Sequence, residues 1–533
     1  MSTKKLRIGF IIDQNPSPLW QYFVIEKVSQ LDFCELCQIN QINTINNEKN
    51  LKKSIFQTLL INYEQNKITQ NNSSFGKKDL FAFSKFLHIF EDFILDNELI
   101  IDLEKKIETS RLDLIINFSS LKMKGKIITL SKFGIWNFNS NSTVIHDLIG
   151  FNEILNDFPI ITTNLQCIIG NEKNEKIIAQ CYSPTNFLSL RRSTDVMNWN
   201  KSKILLLSLE KLNDFNELPK FVQNKIMFIN NINLNEIPNG YQYIKLFFKM
   251  IEKSIKAKIY NKFYFDQWIL MFNYGPQLST SFSKFQSLKP QKDRFWADPH
   301  IVYENNQYYI FFEEFLYAQN KGHIALLQID KNGNIQNSKK ILEKSYHLSY
   351  PFVFKFNNTY YMIPETHANH TIELYECIDF PYSWKFSKNL MKNIDAVDTT
   401  LFYDKDKWWL FTSISKYNQI KTWDDLFLFY TDDLINGSWK SHPCNPIISD
   451  LRKARSAGKI FLQDKNIIRP SQDNSLGYGS GISLNKIHLD EENYNETVLE
   501  ILRPNWNSQI TGLHTIQFDS GLTIIDAKMK RMR

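Results

Sequence analysis

No run of apolar residues in this 533-residue sequence reaches membrane-spanning length, cysteine is scarce, and basic residues form no dense stripe. A transmembrane helix needs about 20 consecutive apolar residues. The opening MSTKKLRIGFIIDQNPSP is basic but stays apolar only as far as Asp13, too short a run for a secretory leader. The formal charge of +7 comes from 63 Lys and Arg against 56 Asp and Glu, and no compact basic block precedes the terminal KMKRMR. A nucleic-acid footprint needs a concentrated patch, so the charge reads as solvated surface lysines. The six cysteines (Cys34, Cys37, Cys167, Cys181, Cys377, Cys444) include one C-x-x-C, in FCELCQI, with no second Cys or His pair at zinc spacing. These absences predict a cytoplasmic protein with reduced, buried or half-buried thiols, no metal and no nucleic-acid partner. With 43% hydrophobic and 14% aromatic residues the chain has ample material for packed cores, and its length points to two or three domains.

The first third alternates short apolar runs with helical spacing. LRIGFII (Leu6 to Ile12), FCELCQI and LDLIINFSS (Leu112 to Ser120) read as strands, and PLWQYFVIEKVSQL between the first two as a helix. That alternation predicts an open, mostly parallel α/β sheet of Rossmann type, with ligands beyond the carboxyl ends of its strands. Asn47 to Gly76 is a polar, Asn/Gln-rich excursion. The phrases DLIINFSS and SKFGIWNFNS, followed by LQCIIGNEKNEKIIAQ and FLSLRRSTDVMNWNKSKILLLSLEKL, resemble the formyltransferase fold over about 200 residues. The resemblance implies an active site of asparagine, histidine and aspartate. Asn137 matches the asparagine, but Asn139 stands at the histidine and the aspartate falls around Asn171. Neither replacement titrates near neutrality, so neither can accept a proton. The expectation is a degenerate formyltransferase-like domain over residues 1–205, with a vestigial pocket at Asn137 and Asn139.

Residues 206–280 read as a helical connector, because GYQYIKLFFKMIEKSIKAKIYNKFYFDQWIL (Gly240 to Leu270) is helical in pattern and basic on one face. A packed linker helix is the preferred reading; its aromatics and lysines also suit peripheral association with a membrane.

Over residues 281–533 one template recurs five times: ADPHIVYENNQYYIFFEE, YPFVFKFNNTYYMIPET, VDTTLFYDKDKWWLFTS, SAGKIFLQDKNIIRPSQD and TGLHTIQFDSGLTIID. Each is a strand, a tight polar turn and a second strand, often opening with paired aromatics. Aligning Pro299, Pro351, Thr399, Ala457 and Leu513 gives spacings of 52, 48, 58 and 56. Hairpins repeating at that period predict an all-β five-bladed propeller. Equivalent inner-strand positions, Asp298, Tyr350, Asp398, Ser456 and Gly512, then converge on the axis. Glu313, Glu365, Ser413, Ser471 and Asp526 are the equivalents at the far end of each hairpin. Two aspartates facing one cavity acquire separated pKa values suited to acid/base work. The bland alternative for RFWADPH is an Asp-Pro turn.

This half resembles the five-bladed propellers of glycoside hydrolase family 43 and its invertase-like relatives. The resemblance implies a blade-one aspartate as base, Asp298, and an orienting aspartate in blade three, Asp398. The family's blade-four glutamate is absent, because KARSAGKIF places Arg455 and Ser456 there. FWADP, HLSYPFV, MIPE, HPCNPI and RPSQD, in that order, resemble the N-terminal domain of plant glucosamine inositolphosphorylceramide transferases and bacterial fusions of it to a formyltransferase-like domain. Asp298, Asp398 and Glu365 (as a substitute acid) are the catalytic candidates. Trp296, His347, Tyr350, Arg455, Arg469, Gln472 and Asp473 are the substrate-binding candidates. Arginine's fork suits hydroxyls or a phosphate. The expected function is glycosyl transfer or related sugar chemistry in surface-glycan biosynthesis, on a carbohydrate or sugar-nucleotide ligand, with no cofactor beyond a nucleotide sugar as co-substrate. The alternatives are a non-catalytic glycan-binding or scaffold module, and N-formylation of an amino sugar by the first domain. Oligomeric state is not legible.

Overall fold

The computed structural model describes residues 4–44, 55–65, 73–93, 97–140, 149–171, 174–219, 238–330, 333–417, 419–420 and 423–533. Two compact units result: Met1–Ile255 with Tyr417–Ile420, and Lys256–Lys416 with Lys421–Arg533.

In the first unit the alternating apolar runs build a seven-stranded sheet. Its order is Leu87–Phe93, Cys34–Thr44, Leu6–Ile12, Leu114–Asn117, Ile135–Ser140, Ile160–Ile168 and Glu175–Pro184. The first five run parallel, Ile160–Ile168 runs antiparallel to them, and Glu175–Pro184 pairs antiparallel with Ile160–Ile168. LRIGFII is apolar throughout because both faces are covered: Ile8, Phe10 and Ile12 pack with helices Leu19–Gln30 and Leu190–Phe215, and Ile11 packs with Leu103 and Ile107 of helix Asn97–Ser110. The C-x-x-C cysteines are free thiols; burial pushes Cys34 up to about 12 and Cys37 up to about 11. The polar excursion of Asn47 to Gly76 lies partly outside the described residues; within it Ile55–Gln65 is helical. Among the described residues no helix is long and apolar enough to cross a membrane.

The helix expected over Gly240 to Leu270 ends at Phe263, and Tyr264–Tyr274 is a strand. Local spacing continues the helical pattern, but YFDQWILMFNY is rich in strand-favouring aromatic and branched residues. It finds a partner 258 residues away in sequence, pairing along its whole length with Leu522–Met532 from Tyr274↔Leu522 through Tyr264↔Met532. The helix buries Tyr243, Leu246 and Met250 and exposes Tyr241 and Phe248.

The second unit is a five-bladed propeller. Blades one to four open with Arg294–Glu304, Ser349–Phe356, Ala396–Asp404 and Phe461–Gln463, each followed by sequential antiparallel neighbours. Blade five joins the last strands, Ile510–Gly512, Ile516–Asp519 and Leu522–Met532, to Tyr264–Tyr274 and Gln286–Leu288, so the two ends of the unit close the ring. The five hairpins share one turn: Asn305–Asn306, Asn357–Asn358, Lys405–Asp406, Asp464–Lys465 and Ser520–Gly521 all have positive φ at both residues. That is the type I′ geometry, whose twist matches that of the flanking strands. The paired aromatics fill the gaps between blades. Tyr308 joins Phe272 and Ile524 of blade five, while Tyr309 packs with Val353 and Met362 of blade two. Strand alternation sends the two rings of a pair to opposite faces, one for each neighbouring blade.

Candidate functional site

The innermost strands of blades one to three carry the same irregularity. Their pairing slips between Ala297 and His300, Ser349 and Phe352, and Val397 and Thr400. The residues in these bulges, Asp298, Tyr350 and Asp398, have φ of 53°, 41° and 53°. A left-handed residue in a bulge re-aims its side chain, and aspartate tolerates that conformation better than tyrosine does. The rungs Ala297↔Glu313, Ser349↔Glu365 and Val397↔Ser413 agree with the sequence repeat. In the last two blades the alignment slips. Ser456 pairs with Ser471, so Ala457 rather than Ser456 stands where Asp298 does. In blade five the Asp526 N–H donates to Thr515 O at 3.2 Å, while Gly512 pairs with Lys528. His514 and Thr515 therefore take the place expected for Gly512. Sequence spacing counts residues, whereas register depends on where the extra residue of a bulge falls.

The converging strands enclose a cavity of about 410 Å³. Four carboxylates line it, Asp298, Glu313, Glu365 and Asp398, together with Arg455 and the imidazoles of His347, His367 and His514. Trp268, Trp423 and Tyr478 supply aromatic wall. Asp298 accepts from Thr515 Oγ1 at 3.1 Å and from the Tyr350 N–H at 3.3 Å, with His514 Nε2 3.7 Å away. Burial raises Asp298 to about 6; His514 and Arg455 oppose the shift, and the Asp526 and Glu365 charges add to it. Asp398 accepts from Arg455 Nε at 2.7 Å and Gln472 Nε2 at 3.0 Å, and its N–H donates to Glu365 Oε2 at 3.3 Å. Burial lifts it to about 7, Arg455 pulling the other way while Glu365 and Asp298 reinforce the rise.

Glu313 and Glu365 occupy the same rung in adjacent blades but are set apart by their histidines. Burial, with the Asp298 and Glu365 charges, raises Glu313 well above the usual carboxylate range. His347 Nδ1 accepts the Gly322 N–H at 2.9 Å, which turns Nε2–H toward Glu313 Oε1 at 3.4 Å. A Cβ on Gly322 would lie 2.7 Å from the His347 ring and 2.8 Å from that Glu313 oxygen, so only glycine allows this approach. Burial pushes Glu365 up as well, but the 2.8 Å hydrogen bond to His367 Nδ1, with the charges of His367, Arg455 and His347, outweighs it and holds Glu365 at about 2.

His514 is stacked on Trp268 with ring centroids 4.0 Å apart and planes at 13°, and its Nδ1 is bonded to Asp526 Oδ2. Burial disfavours its charge, yet Asp526 and Asp298 together raise it above the ordinary histidine value. Asp298, His514 and Asp526 are the group among the described residues whose ligand atoms lie within 4.8 Å of one another, the spacing of a metal site. Asp526 is already engaged: Oδ1 accepts the His514 and Thr515 N–H groups at 3.0 and 2.8 Å, and Oδ2 accepts the Asp298 N–H at 2.9 Å. Only Asp298 and His514 Nε2 retain capacity toward a cation.

Among the sequence candidates, Asp298, Asp398, Glu365, His347 and Arg455 meet in the cavity. Gln472 stands behind Asp398, and buried Tyr350 ties blades two, three and four through Thr400 Oγ1 and the Gly458 N–H, both at 2.9 Å. Three others have different partners: Trp296 Nε1 donates to Glu314 at 2.8 Å, Arg469 pairs with Glu496 at 2.8 Å, and Asp473 pairs with Arg503. Asn137 and Asn139 lie on strand Ile135–Ser140 opposite Gln166 and Asn164, and Asn137 Oδ1 is buried with no hydrogen-bond partner among the described residues. His514, His367 and Trp268 were missed as site residues. His514 sits inside the fifth repeat, TGLHT, where a corrected register would have found it, whereas Trp268 lies in the stretch read as helix.

The pH dependence of stability follows from the two raised aspartates. A carboxyl whose folded pKa exceeds its unfolded value, about 3.9, binds more protons folded than unfolded between those values. Stability therefore falls as pH rises through the window, from about 4 to about 6 for Asp298 and to about 7 for Asp398. Thermal melts across pH 4–8 are expected to show a smaller decline over this window in an Asp298→Asn/Asp398→Asn variant than in the parent. An equal decline in both would show that these groups are not buried as charges.

Residues 282–509 match the family model "Glucosamine inositolphosphorylceramide transferase 1, N-terminal". Glucosamine inositolphosphorylceramide transferase 1 of Arabidopsis thaliana is 34% identical over 233 residues, covering 42% of this chain and 30% of that protein. Its counterpart from Oryza sativa subsp. japonica is 31% identical over 211 residues, covering 39% and 28%. The chain thus spans about a third or less of the length of these curated relatives. Among solved structures, a family 117 glycoside hydrolase of Zobellia galactanivorans is 11% identical, covering 49% of this chain and 90% of that one, with a TM-score of 0.33. An arabinanase of Bacillus subtilis is 15% identical, covering 44% and 93%, with a TM-score of 0.32. Over residues 282–509, most of the propeller, this chain is similar to the N-terminal domain of the glucosamine inositolphosphorylceramide transferases.

Proposed function

We propose that the propeller cavity binds a glycosyl group and catalyses its transfer, or a related reaction at a sugar carbon, in the assembly of a surface glycan. The observation that carries this reading is the placement of two buried aspartates, Asp298 and Asp398, at the same bulge of blades one and three in one cavity. Asp298, raised to about 6, is ionised at neutral pH yet still basic, the property required of a group that takes a proton from an acceptor hydroxyl. Asp398, held by Arg455 and Gln472, orients the sugar. Glu313 carries a proton and donates to a sugar oxygen. Glu365 stays charged beside His367 and is a poor proton donor, so that role passes from it to Glu313. Trp268 and Trp423 provide apolar faces for a pyranose ring. The word transferase in the relatives' name supports transfer over hydrolysis.

A non-catalytic glycan-binding propeller is the second reading, favoured by the Arg455–Asp398 ion pair, which occupies one of the two aspartates. For the first unit we infer a formyltransferase-like ancestry from its sheet and the phrase around Asn137; the uncharged Asn139 leaves formyl transfer to an amino sugar without a proton acceptor.

The test is thermal stabilisation by a panel of nucleotide sugars and oligosaccharides, with product analysis for each ligand that binds. At least one sugar is expected to raise the melting temperature, and Trp268→Ala or Trp423→Ala to abolish the rise. Stabilisation that survives both substitutions would place the sugar outside this cavity and overturn the reading.

A further inference from the structure

Helix Gly240–Phe263 is apolar on two opposite faces, one packed and one exposed. Tyr243, Leu246 and Met250 are buried with Leu60, Phe151, Ile154 and Leu190. At 3.6 residues per turn, Tyr241, Phe248, Ile255, Ile259 and Phe263 fall within an arc of about 80° on the other side. These five residues are 51 to 70% exposed and form a stripe about 33 Å long. Soluble proteins seldom expose a continuous apolar patch of that extent unless something binds it. Helix Ile55–Gln65 lies beside the start of the stripe. Tyr63 packs edge-on against Phe247 with ring centroids 5.4 Å apart, and a Cβ on Gly240 would lie 3.7 Å from the Phe56 ring. This second helix adds exposed Ile55, Phe56 and Leu59.

Charge decides what this face fits. The helix carries six lysines against one acid, Glu252. Lys249 and Lys253 pair with Asp157 within the first unit. Lys245 and Lys256 border the stripe along one edge, Lys258 and Lys262 along the other, and all four are exposed. A second copy of the chain laid on the stripe would set lysine edges against lysine edges. An anionic bilayer surface is complementary instead. Its acyl boundary takes the apolar residues, and its headgroups take the ammonium groups at the ends of the long side chains. We propose that helix Gly240–Phe263 is a membrane-surface anchor, seating the stripe from Tyr241 to Phe263 in the interface of an anionic phospholipid bilayer. A helix of this pattern lies in the plane of the interface and does not cross the membrane. No residue of the propeller cavity takes part, so binding of a sugar there and of a membrane here are tested separately.

The experiment is co-sedimentation of the full chain with vesicles of phosphatidylcholine alone, or of phosphatidylcholine and phosphatidylglycerol in equal parts. The parent is expected to partition at least about tenfold more strongly onto the anionic vesicles, and added salt to weaken that binding. Phe248→Gln/Ile255→Gln/Ile259→Gln removes the middle of the stripe, and Lys245→Gln/Lys256→Gln/Lys258→Gln/Lys262→Gln removes its charged edges. Every one of these positions is exposed and glutamine is a good helix former, so both variants are expected to melt close to the parent. Each is expected to lose at least about tenfold in binding to the anionic vesicles. A parent that does not bind anionic vesicles overturns the proposal, as does either variant binding them as well as the parent. Sedimentation equilibrium without lipid supplies the competing outcome. A parent dimer that the stripe variant converts to monomer would assign this face to a second copy of the chain and overturn the membrane reading.

Discussion

Asp298→Asn is expected to lower turnover about 10²–10⁴-fold, the usual contribution of a general base, while raising thermal stability at neutral pH. The two effects have one cause. The Asp298 carboxyl is 8% exposed and is held up to about 6 mainly by burial, so keeping it ionised at pH 7 opposes folding. An amide has the same shape, no charge and no useful basicity. Its oxygen can still accept from Thr515 Oγ1, and asparagine is at home at the φ of 53° found here. Sugar binding, measured by titration, is expected to stay within threefold, because the aromatic wall and Asp398 are untouched. The stability gain should fade below about pH 5, where the parent aspartate is protonated in the fold. Unchanged turnover would sink the catalytic assignment and leave a binding module. A drop in melting temperature at pH 7–8 would mean that the carboxylate is a structural ion-pair member instead.

The second large effect is on stability and lies away from the cavity. Arg469 is 0% exposed; its Nε and Nη2 donate to Glu496 at 2.9 and 3.0 Å, and Nη2 also donates to Lys453 O at 2.6 Å. Tyr494 OH donates to the same carboxylate. Arg469→Met leaves the buried Glu496 carboxylate with the Tyr494 hydroxyl and, 4.0 Å away, Lys453 Nζ, and removing one member of such a buried pair destabilises by about 3–5 kcal/mol. Denaturant unfolding of the propeller transition reads this directly. Arg469→Met/Glu496→Leu is expected to recover most of the loss, since well-packed apolar replacements of buried ion pairs are often neutral. Sugar binding by folded Arg469→Met should match the parent, as Arg469 lines no part of the cavity. A loss below about 1 kcal/mol would mean that the pair is far better solvated than its geometry indicates.

Arg469 marks a general limit of reading function from sequence. RPSQD identified a segment that belongs to the inner part of blade four, and two of its five residues were read as ligand contacts beside Gln472. The strand sends alternate side chains to opposite sides, so Gln472 reaches Asp398 while Arg469 turns to Glu496 and Asp473 to Arg503. No property of the pentapeptide distinguishes these directions; the partners lie on other strands. Trp268 shows the same limit from the opposite side. Its neighbours continue a helical pattern, and only the arrival of Leu522–Met532 makes them a strand that carries the indole to the cavity.

The sequence by itself determined the repeat, the five turns and the inner-strand aspartates. Each depends on contacts of short range: two residues at positive φ make a hairpin turn, and alternation places paired aromatics on two faces. Asp298 and Asp398 were legible because they occupy the same place in two copies of one local pattern. The tertiary structure alone decided the closure of the ring by residues 264–274, the one-residue slip in blade four and the histidine beside each glutamate. These depend on which distant strands meet and on where the extra residue of each bulge falls. Tertiary neighbours also separate Glu313 from Glu365, two residues with the same place in the repeat: burial pushes both up, and the hydrogen bond and charge of His367 bring Glu365 alone back down, because a carboxyl's charge is set by the groups that surround it in space.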